Sequence, residues 1–271
     1  MDTRKLEPAG MDADDTDTTN SNHLYRFRYG SYVLYVEIEP HCILVESNDN
    51  YGFPLAIRKL LPETIPISHN LVRITSSGKI TSCNYSFKEV QTIWHLNKVD
   101  VATLLVLRQL TSAVFKVKLG SDFAIAKIAR FDFEICYIEA ETRAYRDLDG
   151  QDITPKFLGH LTENRRTMGM LIEYLNDFRM ASKQDLAPCT ATLTHLHGLG
   201  YIHGDINRHN FLIRRDGQVA KVIDLDFCVA AVDEEVVEEM RKVSVALNDE
   251  GYRGAPREGQ DRIESEYTLG I

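Results

Sequence analysis

Three polar side chains with reactive chemistry, Asp205, Asn210 and Asp224, occur close together in the C-terminal half of the chain. The stretch YIHGDINRHNFLI places Asp205 and Asn210 in the spacing H-x-D-x-x-x-x-N, and Asp224 follows in VIDLDF. A carboxylate at Asp205 can orient an attacking hydroxyl group and accept its proton. An amide oxygen at Asn210 and a carboxylate at Asp224 suit Mg²⁺, which holds phosphate groups. Together they indicate the chemistry of phosphoryl transfer.

The elements predicted around these residues would bring them together. Residues 186–200, LAPCTATLTHLHGLG, predict a helix that stops at a glycine. Residues 211–224 predict a hairpin that turns at an Asp-Gly pair. The short loop between helix and hairpin keeps Asp205 near Asn210, and the hairpin returns Asp224 to their side.

The motif IHGDINRHN followed by IDLDF resembles the protein-kinase-like superfamily, in which a catalytic loop precedes a metal-binding aspartate. The sequence looks most like the aminoglycoside-phosphotransferase-type branch and small kinase-like proteins common in fungi, over about residues 105–250. The resemblance implies an ATP-dependent phosphotransferase with a small N-lobe, a helical C-lobe and the nucleotide between them. In that scheme Asp205 is catalytic, Asn210 and Asp224 bind Mg²⁺, and ATP is the phosphate donor.

Other parts of such a site occur upstream in the order that the resemblance requires. Lys127 lies in A-I-A-K on a predicted strand, from which a lysine can reach the α and β phosphates. Glu141 lies on the next predicted helix and can pair with Lys127. The apolar strand ending in LIEYL leads to a linker, where the backbone of Glu173 and Leu175 can hydrogen-bond adenine.

The sequence also departs from the protein-kinase pattern. LTSAVFKVKL has no glycine where a phosphate-covering loop usually has several, and Gly204 replaces the arginine that grips a phosphorylated loop. Asp226 occupies the glycine position of D-F-G. The segment after Phe227 holds one clear helix and no peptide-binding platform, which favours a small hydroxyl-bearing acceptor over a protein. Otherwise a protein partner completes the short C-lobe.

Two alternative hypotheses belong to other functional classes. The first is a pseudokinase, a binding or scaffold module that keeps the fold without catalysis. The glycine-free loop, Asp226 and the short C-lobe favour it, whereas the complete set of Asp205, Asn210 and Asp224 opposes it. The second is a regulatory subunit in which β-rich residues 22–85 bind a partner.

The predicted fold class is α+β, a two-lobed protein-kinase-like fold with a β-rich N-terminal extension and a short helical C-lobe. The predicted divisions are a disordered acidic tail at 1–21, a β-rich region at 22–100, an N-lobe at 101–174, and a minimal C-lobe with a polar tail at 175–271. The predicted elements are a hairpin around Tyr29-Gly30-Ser31, a strand at 41–46, a short helix at 53–63, mixed helix and strand at 87–110, a hairpin of 114–119 with 123–129, helices at 132–148 and 232–247, and a buried strand at 168–175.

Composition narrows the functional class. The chain has 271 residues and a net charge of −9, with the acidic excess at both ends, which argues against a nucleic-acid-binding face. Its apolar runs are too short to span a bilayer, and its first residues do not resemble a secretory signal. The five cysteines are scattered, as is typical of reduced thiols. We therefore expect a cytoplasmic or nuclear protein that acts without a membrane.

Overall fold

The computed structural model describes residues 3–5, 10–13, 22–29, 32–40, 42, 61, 64–249 and 267–268. Across these residues the fold is mixed α+β, with several sheets and three α-helices. No helix in this part of the chain has both the length and the apolar character needed to cross a membrane.

Strands outnumber helices in the described residues. The strands are, in chain order, β1 (Thr3–Lys5), β2 (Gly10–Ala13), β3 (His23–Tyr29), β4 (Tyr32–Ile38), β5 (Thr64–Pro66), β6 (Leu71–Ile74), β7 (Ile80–Cys83), β8 (Lys98–Asp100), β9 (Leu105–Gln109), β10 (Val114–Leu119), β11 (Asp122–Ile128), β12 (Phe157–Glu163), β13 (Arg166–Glu173), β14 (Phe178–Met180), β15 (Tyr201–Ile202), β16 (Phe211–Arg214), β17 (Ala220–Val222), β18 (Val229–Ala230) and β19 (Tyr267–Thr268). The helices are α1 (Ile135–Asp147), α2 (Leu186–Gly198) and α3 (Asp233–Asn248).

The largest sheet has seven strands in the order β19-β9-β10-β11-β13-β12-β8. Neighbouring strands are antiparallel except β8 and β12, which run parallel. Strand β11 alternates, so that Ala124, Ala126 and Ile128 are buried in the core while Lys127 lies on the other face. Helix α1 packs Ile135 and Ile138 into the same core.

The C-terminal half combines helices with two small sheets. Strands β14, β16 and β17 form an antiparallel sheet, and β15 pairs with β18. Helix α2 buries Cys189, Leu193 and Leu196 against this sheet and α3. It ends at Gly198, and Gly200 then turns the chain into β15 with a φ of +85°.

The N-terminal residues form a separate five-stranded sheet, ordered β2-β3-β4-β6-β7. Strands β4 and β6 are parallel, and the other neighbours are antiparallel. Its core includes Phe27, Leu34, Val36 and Val72, each at most 1% exposed. The aromatic and β-branched residues of β3 and β4 explain the hairpin, because such side chains pack well on a pleated surface.

Most predicted elements with a strong pattern are confirmed. The sequence predicted the hairpins β3–β4, β10–β11 and β16–β17, the strand β13, and all three described helices. Each is encoded by residues that are neighbours in sequence. Alternation at a period of two predicted the hairpins β3–β4 and β10–β11, a continuous apolar run predicted β13, and helix-forming residues with end signals predicted the helices. The predicted strand at 41–46 and helix at 53–63 lie outside the described residues, except for Cys42 and Leu61.

Two predictions differ from the structure. Residues 1–21, predicted to be a disordered tail, contain β1 and β2, which pair with β5 and β3. Pairing at a sheet edge uses backbone groups, so it needs no apolar side chains. Residues 87–110, predicted to mix helix and strand, contain no α-helix, and 87–97 have no regular secondary structure. Their backbone N–H groups bond instead to residues distant in sequence.

Candidate functional site

The loop between β15 and β16 holds Asp205 and Asn210 together. Asn210 Nδ2 donates to the Asp205 carbonyl at 2.9 Å and lies 3.2 Å from Asp205 Oδ2. Asn207 Nδ2 approaches the same carboxylate oxygen at 3.2 Å. Asn207 also caps the short 3-10 turn of residues 208–210, because its Oδ1 accepts the N–H of His209 at 2.9 Å. Two amide groups therefore orient the Asp205 carboxylate.

The hairpin β16–β17 returns Asp224 to this loop, as its sequence predicts. The N–H of Ile223 donates to the Asn210 carbonyl at 3.0 Å. The Ile223 carbonyl accepts a hydrogen bond from His203 Nε2 at 2.9 Å, while His203 Nδ1 accepts the N–H of Asp205 at 3.3 Å. His203 thus bridges the two segments, and both of its ring nitrogens are used in hydrogen bonds that hold the loop.

Lys127 joins the strand β11 to the helix α1 and to Asp224. Lys127 Nζ lies 2.5 Å from Glu141 Oε2, and it also contacts the Asp224 carboxylate. Glu141 is 1% exposed and its Oε1 accepts the N–H of Leu225 at 3.4 Å. The predicted Lys127–Glu141 pair is therefore present, and it adjoins the segment that carries Asp224.

Charge is unevenly distributed at this point. Burial would lower the pKa of Lys127, but the charges of Glu141 and Asp224 outweigh it and raise the pKa, so Lys127 stays protonated. Burial raises the pKa of Glu141 although Lys127 opposes the shift. Burial, followed by the charge of Asp224, raises the pKa of Asp226, whose Oδ1 is buried without a hydrogen-bond partner. Carboxylates exceed cations here, which favours a bound cation.

The donor set fits Mg²⁺. Asn210 uses its amide nitrogen on Asp205, and its Oδ1 accepts no hydrogen bond from the described chain. That oxygen and the Asp224 carboxylate are the hard oxygen ligands that Mg²⁺ prefers. Among the described residues no three His, Cys, Asp or Glu side chains converge on one metal position.

The segment after β13 offers fewer adenine contacts than its sequence suggested. The N–H of Glu173 donates to the Lys156 carbonyl at 2.8 Å, so this donor is already used. The N–H of Leu175 makes no hydrogen bond within the described part of the chain. The Glu173 carbonyl and the Leu175 N–H thus stay as the candidate groups. Next to this segment, Lys116 Nζ lies 3.8 Å from the ring centre of Tyr174.

Glu239 on α3 supports the reactive loop and was also missed. Its Oε1 accepts the N–H of Gly204 at 2.7 Å, and its Oε2 accepts the N–H of His203 at 3.0 Å and lies 2.7 Å from His197 Nε2. Glu239 shares the buried stripe of α3 with Val243. An acid on the apolar face of an amphipathic helix is the sequence signal that would have found it.

Backbone conformation explains one departure from the kinase pattern. Gly204 has a φ of +81°, and a Cβ built there would lie 2.4 Å from the carbonyl oxygen of Phe227. An arginine at this position would therefore clash with the chain after Asp224. Asp224 itself has a φ of +64°, a conformation that costs a non-glycine residue about 1–2 kcal/mol.

The sequence matches no protein-family model, and no curated protein is significantly similar to it.

Proposed function

We propose that the protein is an ATP- and Mg²⁺-dependent phosphotransferase that transfers phosphate to a hydroxyl group. The observation that carries the proposal is the convergence of Lys127, Glu141 and Asp224 beside the Asp205–Asn210 loop. A partly buried ammonium paired with a helix carboxylate, next to a carboxylate–amide loop, meets the requirements of nucleotide positioning and of proton removal.

The proposed architecture is the two-lobed protein-kinase-like fold. In it, strands β9 to β13 and helix α1 constitute the N-lobe, residues 101–174, and the elements from β14 to α3 belong to the C-lobe, residues 175–271. One core surrounds β10–β11 within the proposed N-lobe, and a second core joins α2 and β16–β17 to apolar residues of α1, β12 and β13. The nucleotide would then lie between Lys127 on one side and Asn210 on the other.

Each residue has a defined task in the proposed mechanism. Asp205, oriented by Asn207 and Asn210, hydrogen-bonds the acceptor hydroxyl and takes its proton as the phosphate transfers. Lys127, held by Glu141, aligns the phosphates of ATP. Mg²⁺, when bound, would neutralise phosphate charge, and Asn210 and Asp224 would hold it. The Leu175 N–H and the Glu173 carbonyl remain the proposed contacts to adenine.

The acceptor that fits best is a small hydroxyl-bearing molecule. Between Phe227 and residue 249 the described chain contains only β18 and α3. Within that stretch we therefore propose no platform for an extended peptide. The alternative is that a protein partner completes this part of the C-lobe and helps to bind the acceptor. Neither nucleic acid nor a membrane is part of the proposal.

The second candidate function is a pseudokinase that binds partners without transferring phosphate. The observation in its favour is the turn between β9 and β10, where N–H groups bond within the turn: Leu110 and Thr111 both donate to the Val114 carbonyl. These donors are not directed outwards towards phosphates. Asp226 adds negative charge beside Asp224, which also favours this alternative.

Thermal unfolding of the wild type and of Asp224→Ala, with and without Mg²⁺-ATP, tests the nucleotide site that the phosphotransferase requires. A ligand at about 100 times its Kd stabilises a protein by about 2.7 kcal/mol. We expect a rise in Tm for the wild type that requires Mg²⁺ and is absent in Asp224→Ala. No rise at millimolar Mg²⁺-ATP would contradict the phosphotransferase and favour the pseudokinase.

A further inference from the structure

Helix α1 carries Glu141, and its position decides whether Glu141 reaches Lys127. The helix has 13 residues, and its N-cap residue, Glu134, makes no side-chain capping hydrogen bond. A helix of that length is marginal by itself in water, so tertiary contacts must hold it. Apolar contacts of Ile135 and Ile138 anchor its inner side. The outer side is held by residues that precede β8, here called the N-terminal brace (described residues between 22 and 97).

The first contact of the brace is with the loop that leads into α1. Phe131 in this loop is 1% exposed and packs with Val33, Tyr35 and Leu71 of the N-terminal sheet. Tyr35 Oη lies 2.7 Å from the carbonyl oxygen of Arg130 and can donate a hydrogen bond to it. The sheet β3–β4–β6 therefore fixes the chain immediately before the helix begins.

The second contact is with α1 itself. The Glu139 carboxylate accepts the N–H of Gln91 at 2.7 Å, the N–H of Thr92 at 3.2 Å and the hydroxyl of Thr92 at 2.6 Å. Lys88 N–H donates to Asp132 Oδ1 at 2.8 Å, in the loop just before α1 begins. Burial would raise the pKa of Glu139, but the hydrogen bonds from Thr92 and Gln91 outweigh it and lower the pKa. The interaction thus favours the ionised carboxylate.

The geometry of a helix links these contacts to the candidate site. Glu139 and Glu141 are two positions apart, so they point to different sides of α1. Glu139 faces the brace, and Glu141 faces Lys127. A rotation of α1 about its axis that moves Glu141 away from Lys127 would also break the bonds between Glu139 and Thr92. The two acids therefore share one helix orientation.

We infer that the N-terminal brace positions α1 so that Glu141 pairs with Lys127. Thr92, Glu139 and Tyr35 are positioning residues that act through Glu141. In this interpretation the brace supports the candidate site within the same chain and does not serve as a binding module for another protein. Its effect on nucleotide affinity rests on the proposed function, whereas its effect on the Lys127–Glu141 pair does not.

The test uses the full chain with Glu139→Ala and the milder Thr92→Val. The matched control is Glu238→Ala, which removes another helix acid with an i,i+4 basic partner but no contact with the brace. Hydrogen exchange is measured on the amides of α1, with α2, also 13 residues long, as the internal reference. We expect exchange in α1 to rise about tenfold in Glu139→Ala and less in Thr92→Val, with α2 unchanged.

Acetylation of lysines, followed by peptide mass spectrometry, then reports the ion pair without any ligand. We expect Lys127 to react faster in Glu139→Ala than in the wild type. The exposed Lys118 on the neighbouring strand β10 is the internal reference. If the wild type binds Mg²⁺-ATP, the Kd of Glu139→Ala for Mg²⁺-ATP should be higher than that of the wild type. The increase should equal the factor by which the braced population falls.

Three results would overturn the inference. They are unchanged exchange in α1, equal acceleration in α1 and α2, and unchanged acetylation of Lys127 in a variant whose α1 exchanges faster. If the wild type does not bind Mg²⁺-ATP, but the variants show the expected changes in exchange and acetylation, the proposed function is refuted and the brace is supported.

Discussion

At the residue scale, the candidate site is one ammonium group surrounded by carboxylates. Lys127 contacts both Glu141 and Asp224, and Asp226 adds charge beside them. Like charges at short range raise each other's pKa values and destabilise the ionised forms. Such an arrangement is more stable when a cation shares the site, and in the proposed function Mg²⁺ would be that cation.

Asp205→Asn tests the proton acceptor. An amide cannot take the hydroxyl proton, so we expect turnover to fall about 10²- to 10⁴-fold in an acceptor screen. The Tm increase caused by Mg²⁺-ATP should persist, because Asn210, Asp224 and Lys127 are intact. Asp216→Asn makes the same chemical change at an exposed hairpin turn and serves as the control. Wild-type turnover in Asp205→Asn would contradict the role of Asp205.

Glu239→Ala tests the support beneath the reactive loop. The change leaves the N–H groups of His203 and Gly204, and the ring of His197, without their acceptor. Unsatisfied buried donors are costly, so we expect a loss of about 2–4 kcal/mol in the free energy of unfolding. Urea unfolding measures it. Glu238→Ala, at an exposed neighbouring position, should change stability by less than about 0.5 kcal/mol. Equal effects of the two substitutions would refute this support.

At the element scale, residues 87–97 are held by bonds to other elements, in place of their own regular structure. Besides the contacts with α1, the N–H groups of Trp94 and His95 both point at His160 Nε2 on β12, at 3.3 Å each. An acceptor at Nε2 requires a ring without a proton on that nitrogen. His160 is fully buried, and burial lowers its pKa to about 4.

This histidine predicts a pH dependence of stability. The unfolded chain binds the His160 proton near pH 6.5, whereas the folded chain resists it until about pH 4. Neutral His160 therefore contributes on the order of 3 kcal/mol to the free energy of unfolding. This contribution is complete above pH 6.5 and is lost as the pH falls towards 4. Urea unfolding from pH 7.5 to 4 should show a steeper decline for the wild type than for His160→Gln. The control His195→Gln, at an exposed position, should lose stability with falling pH as steeply as the wild type. If His160→Gln also declines as steeply as the wild type, His160 is not the cause.

At the scale of the whole molecule, a buried ion pair joins the N-terminal sheet to the larger sheet. Arg26 on β3 and Glu163 on β12 are 2% and 3% exposed, and Arg26 Nε donates to Glu163 Oε2 at 2.8 Å. Tyr35 Oη and Arg166 also approach the Glu163 carboxylate. These bonds satisfy both charges across the interface, so the two sheets behave as parts of one structure.

Arg26→Ala tests that junction. Removal of one partner leaves a buried carboxylate with fewer compensating charges, so we expect a loss of about 3–5 kcal/mol in the free energy of unfolding. Arg73→Ala removes the exposed pair with Glu37 within the N-terminal sheet and should cost at most about 1 kcal/mol. Chemical unfolding, monitored separately in each sheet by hydrogen exchange, measures both. A small effect of Arg26→Ala, or independent unfolding of the two sheets, would contradict the single-structure interpretation.

Much of the candidate site follows from residues that are close in sequence. Asp205 and Asn210 share one loop, and a single tight hairpin returns Asp224 to it, so spacing alone predicted their proximity. Alternation in β11 placed Lys127 on a definite face, whereas Glu141 was predicted from the order of elements that the resemblance requires. Their assigned roles stay predictions.

By itself, the sequence determined the local elements and the types of the reactive side chains, since backbone periodicity and turn chemistry act over a few residues. Only the tertiary structure decided which distant groups complete them. Glu239 beneath the loop, Thr92 against Glu139, and Arg26 against Glu163 are pairs of polar groups separated by long stretches of chain. Hydrogen bonds of this kind leave no periodic pattern, because their partners are chosen by packing of whole elements and by the cost of burying a polar group without a partner.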